Sequence, residues 1–117
     1  MQLALRPLLC LVLGIFDLAL GGTALFSPQT YADLFHPNLA DPQIDLIART
    51  GCLWLFFAAV ELFAFYKKTP LWFFAVGLLR LLDVPADLVY GTLAAGASPL
   101  SRAAIFLAPV FNLVSGI

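Results

Sequence analysis

The sequence predicts an all-α integral membrane protein: an antiparallel four-helix bundle with a short interfacial helix in its first loop. Hydrophobic residues make up 62% of the 117 positions and charged residues only 11%, a balance outside that of ordinary water-soluble domains. The mean hydropathy of +0.99 is spread over several apolar runs of bilayer-crossing length, so neither one signal sequence nor one anchor accounts for it. Four dipeptides, Ser27-Pro28, Asp41-Pro42, Thr69-Pro70 and Ser98-Pro99, each set an N-cap residue before a proline suited to the first helical position, and helices should start there.

The first span is predicted over about residues 8–26. Ser27-Pro28 then opens a short stretch, 29–35, in which Tyr31, Leu34 and Phe35 alternate with Asp33, a pattern that suits a helix lying in the membrane interface. The other three pairs open long apolar runs at about 44–66, 71–93 and 100–117, each close to the ~20 residues a bilayer core requires. Short connections after the second span force antiparallel neighbours and an up-down-up-down order in a single domain over residues 1–117. Pro85 and Pro109 fall inside spans and predict kinks, because each removes the donor for the carbonyl four residues earlier, at Leu81 and Ile105. Small residues at Gly14, Gly21, Gly22, Gly51, Ala58, Ala59 and Gly77 allow close helix approach.

Arg6 precedes span one and Lys67-Lys68 join spans two and three; the positive-inside bias places these in the cytoplasm, and with them both termini. The opposite side receives the 27–43 loop, with Asp33 and Asp41 but no Lys or Arg, and the uncharged turn at 94–97. Arg102 is discordant and would snorkel to the outer interface. The last span ends on Gly116-Ile117 without a charged stop, which leaves open whether the C-terminus is complete.

Six Lys+Arg against seven Asp+Glu give a net charge of −1, with no basic surface for nucleic acid. Cys10 and Cys52 lie inside apolar runs without disulfide or zinc companions and read as small buried hydrophobes. The single His36 sits beside Pro37 in a loop. With no C-x-x-C, H-E-x-x-H, G-x-S-x-G, P-loop or dinucleotide motif, no metal site, haem ligand or standard hydrolase, kinase or zinc-enzyme site can be nominated.

The informative feature is a set of ionisable residues inside the predicted spans: Asp17, Arg49, Glu61, Arg80, Asp83 and Asp87. A charge near the bilayer centre costs roughly 2.5–3.5 kcal/mol, so such groups should face inward and find partners. At ~1.5 Å rise per residue, Arg49 comes level with Asp87, and Arg80 level with Asp17, with Glu61 about 6 Å lower. The expected partners are an Arg49–Asp87 ion pair and a triad of Asp17, Arg80 and Glu61. Arg80, Asp83 and Asp87 follow i, i+3, i+7 spacing and share one helix face. Four acids against two arginines leave a surplus of negative charge. That marks Asp83, without a level arginine of its own, as a neutral acid able to carry a proton or donate to a ligand carbonyl. Two readings stand. One is a structural salt-bridge network that fixes helix order. The other is a ligand site of Asp17, Glu61, Arg80 and Asp83, with Arg49–Asp87 as a structural pair. Among the aromatic residues, Tyr66 and Trp72 suit an interfacial belt beside Lys67-Lys68, and the others are packing or lipid-facing.

Arg6 before span one, Gly51 and Glu61 on span two, and the Arg80-Leu81-Leu82-Asp83 stripe on span three resemble the small four-helix bacterial membrane proteins of the DoxX-like group, over most of residues 6 to 117. The resemblance implies a bacterial inner membrane as the location and kinship with subunits of quinone-linked oxidoreductases. Lacking a redox cysteine pair or metal-ligand cluster, the chain is not expected to catalyse on its own. The first function class is an accessory subunit or binding module of a membrane assembly, its polar interior holding a quinone, lipid or other apolar ligand. The second is a proton-coupled carrier or relay using the surplus carboxylates, and the third a small membrane enzyme acting on a lipidic substrate by acid–base chemistry. The partners implied are membrane lipids and either other membrane subunits or further copies of the chain.

Overall fold

The computed structural model describes residues 2–38, 41–93 and 97–116. Among them the chain is all-α, in five helices: α1 (Gln2–Phe26), α2 (Pro28–Phe35), α3 (Asp41–Lys67), α4 (Pro70–Leu93) and α5 (Pro99–Gly116). Ile117, the capping side chain of Asp41 and all but Ala97 of the predicted 94–97 turn lie outside what is described.

The helix starts follow the local chemistry. Pro28, Pro70 and Pro99 are the first residues of their helices, where a proline gives up an amide that has no intrahelical partner anyway. α1 begins at Gln2, well before the expected Leu8, and contains Pro7. Pro7 withholds one backbone hydrogen bond without breaking the helix, as Pro85 does in α4 and Pro109 in α5.

α1 and α3 form an antiparallel pair. On α1, Cys10, Leu13, Asp17, Gly21 and Ala24 recur at three- and four-residue steps and are buried; on α3, Ile47, Gly51, Ala58 and Glu61 are buried at steps of four, seven and three, again one helix face. A Cβ on Gly21 would stand 2.8 Å from the Gly51 carbonyl oxygen, and one on Gly51 would stand 2.7 Å from the Leu25 nitrogen. The two backbones therefore meet where the glycines face each other. Gly22 faces open space and Ala59 is exposed, so these two take no part in the approach.

α4 and α5 form a second pair, and α4 packs beside α3 while touching α1 only lightly. The α3–α4 turn is closed by Lys68 at φ 52°, a left-handed conformation that glycine usually takes at a helix end. Its N–H donates to the Ala64 carbonyl at 2.9 Å. Lys67 Nζ lies 5.4 Å from the ring centres of Phe63 and Tyr66, Lys68 Nζ lies 5.6 Å from that of Phe65, and Trp72 meets Phe63 edge-on at 4.6 Å. This end of the bundle is a belt of cations on aromatic faces.

α2 crosses the opposite end. Ala32 is buried with Ala24 and Ile47, and the Tyr31 ring packs on Trp54 at 5.5 Å. Ser98 ties α2 to α5: its Oγ accepts the Ser101 N–H at 3.1 Å, capping α5, and donates to the Leu34 carbonyl at 3.0 Å. Its own N–H donates to the Phe35 carbonyl at 3.1 Å. The last carbonyls of α2 and the first amides of α5 are thus satisfied by one residue. His36 closes α2 half-buried, and that burial pushes its imidazole below the ordinary histidine range.

The outer surface is apolar, with Phe26, Phe56, Leu71, Phe74, Phe106 and Val114 among the exposed side chains. Two helical stretches, Leu5–Phe26 and Gln43–Lys67, are long and apolar enough to cross a membrane, and Pro99–Val114 is a shorter apolar helix. α4 differs because it carries Arg80, Asp83 and Asp87 along its middle.

Candidate functional site: a buried polar cluster

The polar residues of four helices meet inside the bundle. Asp17 and Glu61 occupy core positions of α1 and α3 and are 2% and 0% exposed. Antiparallel packing brings these two carboxyls together, and the stripe on α4 supplies the cation between them. Arg80, 4% exposed, donates from Nη2 to Asp17 Oδ2 at 2.6 Å and also to Glu61 Oε1. Its Nη1 reaches Asn112 Oδ1 of α5 at 3.4 Å. The Asn112 amide in turn donates from Nδ2 to Asp87 Oδ2 at 2.7 Å and to Asp83 Oδ2 at 3.2 Å. One guanidinium, forked and planar, therefore touches α1, α3 and α5 from α4.

Two atoms of this cluster are buried without a hydrogen-bond partner among the described residues, Glu61 Oε2 and Arg80 Nε. Buried polar atoms are nearly always paired, so such an orphaned acceptor and donor mark a place where a further polar group would be stabilised. Chemically, the cluster can accept from a hydroxyl at Glu61, donate to a carbonyl from Arg80, and exchange protons among its carboxyls. Among the described residues no group of His, Cys, Asp and Glu is placed to hold a metal ion.

Asp17, Glu61 and Arg80 thus stand together, with Asp83 and Asp87 half-buried next to them. The expected Arg49–Asp87 ion pair is absent: Arg49 is exposed, and the described ion pairs are those of Arg80. Arg49 follows buried Ile47 by two residues, about 200° around the helix, so it matches Asp87 in height but points away from it. Asp87 is held by Asn112 instead. Cys10 is buried, whereas Cys52 is exposed, and both are free thiols. Asn112, the sole side-chain amide within the predicted spans, is a member of this cluster that a pattern of charges does not single out.

Beside the cluster, two apolar grooves run along α1. One, of about 350 Å³, separates it from α4 and the end of α5; the other, of about 330 Å³, lies toward Phe111 of α5. No residue of the polar cluster lines either groove. Compared with protein-family models, curated proteins and solved structures, the chain matches none of them.

Proposed function

We propose that the chain is a small integral membrane bundle that serves as an accessory subunit or binding module of a membrane assembly, its polar interior anchoring the head of a quinone, lipid or other apolar ligand. The membrane part is supported by the exposed apolar surface, too extensive for a water-soluble monomer. It is supported too by α4, which turns its charges toward the other helices. Membership of the DoxX-like group would agree with this role.

The ligand part rests on one observation, the orphaned Glu61 Oε2 and Arg80 Nε at the centre of an otherwise paired cluster. Asp83 borders it through Asn112 and acts as a neutral donor, since one guanidinium balances few of the four carboxyls. Asp83→Asn keeps the shape and a donor and should retain the ligand, whereas Asp83→Leu should lose it with the bundle still helical. Mass spectrometry of quinones and lipids in the protein purified from native membranes, paired with circular dichroism, reads both. Equal ligand content in the two variants would remove Asp83 from the site.

The second reading, a proton relay, draws on the continuity of the hydrogen bonds from Asp87 through Asn112 to Arg80, Glu61 and Asp17. Proton flux into protein-loaded vesicles that Asp87→Asn abolishes would favour it; flux no greater than that of empty vesicles would end it.

For orientation we propose both termini on the cytoplasmic side, from Arg6 and the Lys67-Lys68 turn. Phosphatase fusions in the loop after α2 should be active and those at the C-terminus silent. Activity in both places would refute the assignment.

A further inference from the structure

Arg6 stands where the two apolar grooves meet. It is exposed, makes no ion pair among the described residues, and borders both grooves together with Leu9. Cys10 and Gly77 are among the residues lining the first groove, Val12 and Phe111 among those lining the second. Both lie on the side of α1 away from α3, the first because α1 hardly touches α4 and the second because it hardly touches α5. Their shared end is the one where α1 and α4 begin and α5 finishes, next to the Lys67-Lys68 turn.

Two apolar troughs of similar volume flanking one guanidinium match a ligand with two hydrocarbon chains and one anionic head. We infer that this junction binds a single anionic diacyl glycerophospholipid, one acyl chain in each groove and the phosphate on Arg6. Within the leaflet the acyl chains gain close packing against the groove walls, and the guanidinium fork takes two phosphate oxygens at once. Lys67 and Lys68 do not compete for this role, since their ammonium groups lie over Phe63, Tyr66 and Phe65. The site is separate from the buried cluster but rests on the membrane reading, because the lipid enters from the leaflet around Arg6.

The test uses the full chain in a mild non-ionic detergent, titrated with phosphatidylglycerol or phosphatidylcholine and weighed by native mass spectrometry. One phosphatidylglycerol per chain should be retained in preference to phosphatidylcholine. Arg6→Gln should weaken that retention about fivefold, the contribution of one cation near a membrane surface, without changing phosphatidylcholine. Gly77→Leu, which fills one groove, should lower the diacyl lipid to the level of its single-chain lyso form, and Lys67→Gln should leave retention unchanged. Equal retention of the two lipids, an unaffected Arg6→Gln, or an equal fall in Lys67→Gln would overturn the site. A chain that stays soluble without detergent and ignores phosphatidylcholine–phosphatidylglycerol vesicles would overturn the membrane reading instead.

Discussion

Replacing Arg80 with methionine is expected to destabilise the bundle by roughly 3–5 kcal/mol, the loss that follows when one partner of a buried ionic cluster is removed and the other is left uncompensated. The geometry makes Arg80 the extreme case. Its Nη2 serves Asp17 and Glu61 together and its Nη1 reaches Asn112, so one truncation strands two carboxyls in an interior that offers them no other cation. It also removes the chief polar link between α1 and α4, which otherwise touch little. The loss belongs to the imbalance rather than to the charge itself. Adding Asp17→Asn and Glu61→Gln to Arg80→Met should therefore recover most of it, because neutral amides need no counter-ion and can hydrogen-bond to each other. Arg80→Lys should fall between, since an ammonium can neutralise one carboxyl but lacks the fork that spans three helices. Reversible unfolding in mixed detergent micelles, followed by circular dichroism, measures the series. An Arg80→Met loss below ~1 kcal/mol, or a triple variant no more stable than the single one, would show that the cluster does not hold the two helix pairs together.

The helices and the central triad were legible because they rest on one-dimensional signals. A proline suits the first helical position wherever it stands, which is why Pro28, Pro70 and Pro99 open α2, α4 and α5, although Ser98 caps its helix with its side chain and Ser27 does not. Height along a helix is linear in residue number, and on that basis Asp17 and Arg80 were matched. Azimuth advances by about 100° per residue and decides the face: Arg49 has the right height but sits two residues from the buried line of Ile47, Gly51 and Ala58. Had that line been drawn first, Arg49 would have fallen on the outer face. Asn112 is uncharged and leaves no mark in the pattern of intramembrane charges, although an amide is what can join an acid to a guanidinium by donating from one end and accepting at the other. The second bond of Ser98, to the Leu34 carbonyl, could not be read at all, since it depends on where α2 lies across the end of α5. The same holds for the grooves beside Arg6, which are spaces between helices and leave no mark on the residues that border them.

Gly51→Ala should cost about 1–3 kcal/mol, the penalty for forcing an extra methyl into a packed contact, while Gly22→Ala should stabilise by roughly 0.5–1 kcal/mol. Both add the same atom to the middle of a helix, and by intrinsic propensity both should help. Space decides the sign. The new methyl at Gly51 would stand 2.7 Å from the Leu25 nitrogen and 2.8 Å from the Gly21 carbonyl oxygen. These are backbone atoms that cannot turn aside, so α1 and α3 must separate along their whole contact. That separation reaches the cluster, because Asp17 and Glu61 lie on the same two buried lines as Gly21 and Gly51 and are held by one nitrogen of Arg80. At Gly22 nothing stands within 4 Å of the new methyl, and the helix gains its ordinary alanine preference. Unfolding of the two variants side by side tests this. Equal shifts of the same sign would mean that the α1–α3 approach is not set by its glycines, and would take away the reason the two buried carboxyls are pressed against a single cation.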